Sequence, residues 1–327
     1  VNEKHGKTET TVTDSNLTHT GASSTTGNWT TGVADDAIND GIVNDVDVAA
    51  NLVDKRATET VNGLAIGASS TETYKTFVIN GSGAATAAGA GTVSVTYHGG
   101  STKTKLDDAD LSASGSIDVF SGDYANIDTV STTVAGASTA SVPISVNVMT
   151  TEHTTETEVG EGSISAQKGE ITIAAQAKEG VSGLAINGGG AANFAVGALV
   201  NVTRELSDVT TNVHDVGAIS GSVYNQNADY LGRLTTMGLN AAGAMYGAGT
   251  VSVSVNYADN GVNNLLNQSR LSLTDEVNLN AHRRSDWSFV DVNVAGSIYG
   301  SLGTYVAVNT LEGQTQTTLD QTVIEGQ

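Results

Sequence analysis

Thr250-Val251-Ser252-Val253-Ser254-Val255-Asn256-Tyr257 is the stretch that decides the fold, because valine alternates in it with small polar residues. A period of two places successive side chains on opposite faces of a strand, whereas an amphipathic helix would repeat its apolar residues every three or four positions. The stretch therefore predicts a β-strand with one face of valines.

The same strand pattern recurs along the chain at a nearly constant interval. Its copies lie 51, 54, 55 and 53 residues apart when they are counted on Val95, Val146, Val200, Val255 and Val308. An apolar residue followed by serine recurs in the same phase, with steps of 53, 55 and 52 residues, at Leu111, Ile164, Ile219 and Leu271. A third short apolar pattern follows at Ile117, Ile171 and Val277. Patterns that stay in phase indicate an internal repeat of about 51–55 residues.

Composition favours stacked strands over a globular core. The 327 residues include 38 Gly, 1 Pro and no Cys, and only 5% are aromatic. A β-sandwich module needs about 100 residues and several bulky core side chains, which a repeat of this size and composition does not supply. In a solenoid, each repeat instead buries its inner face against its neighbours.

We therefore expect an all-β protein, a parallel and right-handed β-helix with two or three rungs in each repeat. The aliphatic side chains are expected to stack inside, and Thr, Ser and Asn to form polar ladders outside. Rungs at a spacing of about 4.8 Å would then give a rod roughly 60–80 Å long.

The repeat predicts a single solenoid domain over residues 1–327. Regular repeats are expected over residues 84–327, with starts near residues 84, 137, 191, 244 and 297, and residues 1–83 are expected to form irregular or degenerate rungs. Pro143 should mark a strand start or a local bulge, because proline has no N–H to donate to a ladder.

The net charge of −21, from 14 basic and 35 acidic residues, argues against nucleic acid and anionic membrane surfaces as partners, since both require basic patches. The lack of cysteine excludes a disulfide scaffold and thiolate metal sites. The start at Val1 has no apolar leader and no initiator Met, and no apolar run approaches the length of a membrane span. The chain is therefore expected to be either cytosolic or a mature or excised piece of something longer, and the polar start without an initiator Met favours the excised piece. We expect no membrane insertion of this segment.

Histidines and acidic clusters are the first places to look for chemistry. Two histidines, His98 and His153, follow equivalent strands and could form a row of metal ligands. The favoured interpretation is that they are solvated turn residues. The other histidines are His5, His19, His214 and His282. Acidic clusters at Asp35, Asp36 and Asp40 and at Asp107, Asp108 and Asp110 could offer oxygen ligands to calcium. No EF-hand or calcium-binding repeat motif accompanies them, so solvated acids are favoured here too.

One compact polar and aromatic group is formed by Arg283, Arg284, Asp286 and Trp287. This group could bind a glycan or a neighbouring subunit, or it could form an exposed turn. The exposed turn is the favoured interpretation. Trp29 is interpreted in the same way. The sequence therefore predicts no catalytic, cofactor-binding or metal-ligating residue and no cofactor, with calcium as the one alternative left open.

The Val-x-Val-Asn strands, the Ala-Gly corners such as Ala135-Gly136, and the long repeat resemble passenger domains of type V secreted bacterial proteins. The likeness is to leukotoxin-like and filamentous-haemagglutinin-like adhesins, and it covers roughly residues 84–310. The resemblance implies a right-handed parallel β-helix, export from the cell and a role at the bacterial surface.

These observations favour a structural or adhesive protein and not an enzyme, secreted and displayed at the cell surface. It would be a segment of a giant adhesin or a subunit that stacks end to end into a filament. Its expected partners are itself or further repeats along the axis, and a glycan or protein receptor on a host or neighbouring cell. The alternative is a polysaccharide lyase or hydrolase built on the same scaffold.

Overall fold

The computed structural model describes residues 2–20, 27–33, 56–61 and 63–326. These residues form strands joined by short turns, and the strands in the two main sheets are parallel, which confirms the predicted all-β, parallel solenoid. Within the described part of the chain, no helix has the length and apolarity needed to cross a membrane.

Two parallel sheets face each other across a shared interior. The strands of sheet I are β1 (Asn2–His19), β5 (Ala87–Ala113), β7 (Ala140–Gly160), β8 (Ser163–Ala166), β10 (Phe194–His214), β11 (Ala218–Gly221), β13 (Gly247–Asn267), β14 (Arg270–Leu273), β16 (Ser301–Glu312), β17 (Thr315–Asp320) and β18 (Val323–Gly326). Those of sheet II are β4 (Gly63–Ala84), β6 (Ser116–Ala137), β9 (Ile171–Ala191), β12 (Tyr224–Gly243) and β15 (Val277–Gly296). The chain alternates between the sheets, so one passage through each completes a turn.

Each repeat makes a single turn, and the expectation of two or three rungs in each repeat is wrong. In sheet I, Ala87 pairs with Ala140 and Ala140 with Phe194, steps of 53 and 54 residues. In sheet II, Ile117 pairs with Ile171, also 54 residues later. Strand pairing joins each repeat directly to the next, so a rung has the length of the whole repeat.

The long turns make this segment a slab and not a rod. Sheet I stacks β1, β5, β7, β10, β13 and β16, which at about 4.8 Å between strands spans only about 24 Å along the axis. A strand of about 21 residues is about 70 Å long at 3.3 Å per residue. The expected axial length of 60–80 Å is therefore wrong, because it counted two or three rungs per repeat.

A corner in sheet I recurs once in every turn. One residue in the left-handed region marks it each time, with φ between 47° and 56°, at Asp14, Asp108, Glu161, Asp215, Gln268 and Gln321. A single residue in this conformation shifts the alternation of side chains by one position, so inward residues switch from even to odd numbers in β5. The corner separates the long strands from the short strands β8, β11, β14 and β18.

The main apolar core lies on the corner side of the slab. The second sequence pattern forms one inward column there, Leu111, Ile164, Ile219 and Leu271, all almost fully buried. The third pattern faces it from sheet II, where Ile117, Ile171 and Val277 share a column that Tyr224 completes. Aliphatic stacks were correctly predicted in this half of the slab.

In the other half, the valines of the first pattern point outward, and the prediction that they stack inside is wrong there. Val251 is 46% exposed, whereas its neighbours Thr250 and Ser252 are buried. The same arrangement holds in β7, where Val142 and Ile144 are exposed and Ser145 is buried. Small hydroxyl and amide side chains fill the interior of this half.

The pairing also corrects the alignment of that first pattern. Val95 pairs with Val148, Val148 with Val202, and Val202 with Val255. The repeat count in the sequence instead aligns Val95 and Val255 with Val146 and Val200. The mismatch is two residues, the period of a strand, so alternating sequence alone does not distinguish the two registers.

Residues 1–83 do not consist of irregular rungs throughout. β1 pairs with β5 and β4 pairs with β6, both in regular parallel register. Between them, β2 (Gly27–Val33) and β3 (Arg56–Val61) form an antiparallel pair, where later turns have only a short connection. Pro143 lies within β7, and pairing between β7 and β10 is interrupted at Val142 and Pro143, as expected for a residue without N–H.

A pair of alanine substitutions on β13 tests which face is inside. Leu266→Ala removes a fully buried side chain and should lower the free energy of unfolding by about 2–5 kcal/mol, whereas Val251→Ala, on the outer face of the same strand, should change it by under about 1 kcal/mol. Urea unfolding followed by circular dichroism measures both. An equal loss in the two variants would contradict the outward orientation of Val251.

Candidate functional site

A row of ionisable side chains occupies the interior near the middle of the long strands. Sheet I contributes His98, His153 and Glu205 from β5, β7 and β10, while sheet II contributes Glu72, Asp123 and Glu179 from β4, β6 and β9. All but Glu72 are almost completely buried. The alternation of each strand directs these residues inward, and the stacking of turns places them next to one another.

Four of these side chains form a continuous series of close contacts, which we call the buried ionic chain: Glu72, His98, His153 and Asp123. Hydrogen bonds join His98 to His153 and His153 to Asp123, and an ion pair joins His98 to Glu72. Glu72 Oε2 lies 2.9 Å from His98 Nε2, His98 Nδ1 lies 2.9 Å from His153 Nε2, and His153 Nδ1 lies 2.6 Å from Asp123 Oδ2. Lys4 Nζ contacts Glu72 at 3.0 Å from the water-facing side.

The geometry fixes the number of protons on the two imidazoles. Each outer nitrogen faces a carboxylate and must donate, and the contact between the rings needs one further N–H. Three protons on four nitrogens give the pair one positive charge, held between the carboxylates of Glu72 and Asp123. The four side chains then carry a net charge of −1, which Lys4 beside Glu72 compensates, as a buried set of charges requires.

The surrounding charges agree with this assignment. Burial disfavours the charged ring of His153, but the nearby carboxylates of Glu179 and Asp123 outweigh it and raise its pKa to about 9. The hydrogen bond from His98, opposed by burial and assisted by Lys4, lowers the pKa of Glu72 to about 2. At neutral pH, His153 is thus charged and Glu72 is ionised.

Two further carboxyl groups continue the row toward the next turns. Ser207 Oγ donates to Glu179 Oε1 at 2.5 Å, and the hydroxyl of Tyr230 donates to Glu205 Oε1. Burial, together with the neighbouring Glu179, raises the pKa of Glu205 to about 8, and burial also raises the pKa of Glu179. Glu205 is therefore protonated at neutral pH.

Among the described residues, one group has the composition of a metal site. Ligand atoms of Asp123, His153 and Glu179 lie within 4.8 Å of one another, and Glu179 Oε2 is buried without a hydrogen-bond partner. One imidazole and two carboxylates suit a transition metal better than calcium, which prefers oxygen ligands alone. A metal would have to displace the proton shared by His153 and Asp123, so its affinity should rise with pH.

Sequence reasoning missed this site because it placed His98 and His153 in solvated turns, and that prediction is wrong. Both lie on inward positions of strands, and Gly100 leaves room for the ring, since a Cβ there would lie 2.9 Å from His153 Nδ1. The spacing of 55 residues between the histidines was the available signal, because it is close to the repeat length.

The other candidates do not join the site. Asp108 and Asp110 are exposed at the corner, where Asp110 accepts a hydrogen bond from Ser163 at 2.5 Å, and Asp107 is half-buried beside Lys105. Asp35, Asp36 and Asp40 lie outside the described residues, and Trp29 lies in β2, where the structure describes the backbone only.

The group at residues 283–287 forms part of strand β15 and not a turn, which corrects the favoured interpretation. Arg284 and Asp286 lie on the outer face and pair at 3.0 Å. Arg283 faces inward and donates to the carbonyl of Glu312 at 2.8 Å, and Trp287 packs beside Phe289. The alternation of the strand thus divides this group between its two faces.

Comparison with family models, with curated proteins and with solved structures gave no match.

Substitution of Glu205 tests the buried carboxyl row. The folded protein keeps the Glu205 proton to about pH 8, while the unfolded chain loses it near pH 4.5, so the free energy of unfolding falls as the pH rises between these values. Glu205→Gln removes this dependence and should stabilise the protein at pH 8 by a few kcal/mol, on the order of 1.4 for each pKa unit, while leaving it close to the parent protein at pH 4.5.

Urea unfolding at both pH values measures the effect, and Glu170→Gln, at an exposed position, is the matched control.

The parent protein should also lose stability between pH 6.5 and 9, because folded His153 holds its proton to about pH 9. This loss remains in the Glu205→Gln variant. A Glu205→Gln variant with the same pH dependence as the parent would show that Glu205 is ionised in the folded state.

Proposed function

We propose that this chain is a structural or adhesive surface protein, secreted from a bacterium, in which a stacked β-solenoid provides extended surfaces. The observation that carries the proposal is where the acid and base groups lie. The most concentrated set among the described residues is sealed between the sheets, hydrogen-bonded within itself, and lies where a polymeric substrate does not reach. Such a chain of charges specifies the stacking of turns.

The resemblance to type V passenger domains supports an extracellular location. The parallel ladder also supports a role in extension, since further turns, or further copies, would lengthen the slab along its axis by about 4.8 Å per turn. A rod would result from many such turns, as a segment of a giant adhesin or as a filament of stacked subunits.

Two side chains at the edge of the last described turn support axial stacking. Leu311 is an inward residue of β16 in the column of buried Ala258, yet it is 49% exposed. Tyr305, in the column of buried Ser252, is 44% exposed. A further turn would cover both side chains and continue their columns.

Receptor binding requires accessible polar groups, and the outer face of sheet II offers a groove of about 280 Å³. It lies between two outward columns, with Gln176, Asp229 and His282 in one and Lys178, Leu231 and Arg284 in the other. Hydrogen-bonding groups of both charges in a shallow groove suit a glycan. The same groove is where the alternative, a polysaccharide lyase or hydrolase, would act.

A substitution at the axial edge tests stacking. Leu311→Asp should weaken end-to-end association at least tenfold, because a covering turn would bury the carboxylate, and Thr310→Asp, on the outer face of the same strand, should leave association unchanged. Sedimentation velocity over a range of concentrations, with electron microscopy, measures it. A parent protein that stays monomeric at all concentrations would rule out the stacking subunit.

A cleavage screen separates the adhesive from the enzymatic function. We expect no saturable product from acidic or neutral polysaccharides, and binding without cleavage by those that fit the groove. Asp229→Asn and Arg284→Ala should reduce such binding, while Glu170→Gln should not. Product formation that is lost in Asp229→Asn would instead establish the enzyme.

A further inference from the structure

Five stretches of the sequence contain almost no charge, and the fold places them side by side. We call them the arches: residues 76–97, 129–151, 180–203, 234–258 and 287–311, each 22 to 25 residues long. Asp291 is their only ionisable acid or base apart from tyrosine. Each arch comprises the end of a sheet II strand, a turn and the start of the next sheet I strand. Together the arches form the half of the slab away from the corner.

The outer surface of the arches is apolar on three sides. Outward positions on sheet I carry Val93, Val142, Ile144, Phe194, Val196, Val251, Val306 and Val308, each at least 43% exposed. Those on sheet II carry Phe77, Ile79, Val134, Met237, Leu239, Val290, Val292 and Val294, each at least 36% exposed. The turns that join the sheets add Met245, Tyr246, Ile298 and Tyr299.

The interior of the arches carries many hydroxyl and amide side chains beside small clusters of alanine, whereas most of the valines face outward, the reverse of the arrangement that water favours. Asn187 Nδ2 donates to Asn240 Oδ1 at 2.9 Å, and Asn147 Nδ2 donates to Asn201 Oδ1 at 3.1 Å. The one acid, Asp291, accepts a hydrogen bond from Tyr305 at 2.6 Å. These asparagines thus bond to one another inside, whereas hydroxyls such as those of Thr92, Ser94 and Thr96 are buried without a hydrogen-bond partner. With valines facing outward, a polar interior and an apolar exterior favour apolar surroundings.

The backbone of the arches is also suited to an apolar environment. Parallel ladders pair the strands of neighbouring arches. The connections at the tips are hydrogen-bonded to the tips of neighbouring arches. Thr139 N donates to Thr86 O at 2.9 Å, and Met245 N donates to Ala192 O at 2.9 Å. In hydrocarbon every backbone N–H and C=O must find a partner within the protein. Stacking of turns provides such partners for the three middle arches up to their tips. The first and last arches, on β4, β5, β15 and β16, each leave one strand edge open, which a further turn or copy would have to pair.

The depth of the arches matches a bilayer. Between the charged half and the tip, the strands of the five arches run nine to twelve residues, for example Thr76 to Ala84 and Ala87 to Tyr97 in the first arch. At 3.3 Å per residue this is about 30–40 Å, against about 30 Å for the hydrocarbon core of a membrane.

We propose that the arches insert into the hydrocarbon core of a lipid bilayer, with the solenoid axis parallel to the membrane plane and the charged half of the slab in water. A second copy of the chain is the competing occupant, but face-to-face pairing would cover one sheet and leave the other sheet and the tips exposed. Lipid covers all three sides.

This proposal replaces the expectation that the segment does not insert. That expectation rested on the lack of a long apolar run, yet a strand whose alternate residues face a polar interior has no such run. The acidic charge of the water-facing half opposes anionic lipids, so zwitterionic vesicles are the appropriate probe. The proposal rests on the axial continuation proposed above, because the open edges of the first and last arches must be paired before they enter hydrocarbon. The Leu311 test is carried out without lipid, so a failure of stacking is distinguishable from a failure of insertion.

Single cysteines test it directly, since the chain has no cysteine of its own. Val251→Cys lies in an arch and Asn263→Cys lies on the outer face of the same strand in the charged half. Each is labelled with an environment-sensitive nitrobenzoxadiazole dye and reconstituted into phosphatidylcholine vesicles by detergent removal. We expect a several-fold rise in emission at position 251, quenched by spin-labelled acyl chains, and no change at position 263.

Charge substitutions provide the second measurement. Val251→Asp and Val292→Asp should each reduce the fraction that floats with the vesicles at least tenfold, because each places a carboxylate in hydrocarbon, and Asn263→Asp should not. No response at position 251 to vesicles would overturn the proposal. The proposal would also be overturned if the dye emission at position 251 rose without lipid as the protein concentration increased, together with a doubled mass. That result would identify a second copy of the chain as the occupant. Neither result affects the stacking test at Leu311.

Discussion

Parallel hydrogen bonding between residues 52 to 55 positions apart is the interaction on which the rest of the structure depends. It converts each position of the repeat into a column that runs along the axis, so the chemistry of a position is multiplied by the number of turns. A column of leucine and isoleucine forms a core, whereas a column of valine on the outer face forms an apolar stripe. The residue type that the repeats share at one position therefore determines the chemistry of a whole column.

The columns divide the slab into two halves with opposite sidedness. On the corner side, aliphatic residues such as Leu111 and Ile171 face inward and charges such as Lys103 and Glu158 pair outside at 2.7 Å. On the arch side, valines face outward and hydroxyl and amide groups fill the interior. The two halves belong to the same strands, so the difference lies in which of the alternating positions carries the apolar residue.

The buried ionic chain lies where these halves meet. Placing His153 between Asp123 and His98 requires three consecutive strands of two adjacent turns to be in register, since the residues come from β6, β7 and β5. A shift of one strand by one residue would turn its own charged side chain to the outer face and leave the charges of its partners uncompensated inside. The chain of charges therefore specifies the register more strictly than the aliphatic columns, which tolerate a shift of two residues.

The sequence by itself determined the strand class, the repeat interval and the inward column through Leu111 and Ile164, because alternation and periodicity are local properties. It also carried the arches, as charge-free stretches at the repeat interval, and the spacing of His98 and His153. It did not determine how many turns a repeat makes, which face of the Val251 strand is inside, or that Glu72 and Asp123 meet the two histidines. Those features depend on which strands pair and which faces of the two sheets oppose, and a period of two leaves both choices open until the chain closes a turn.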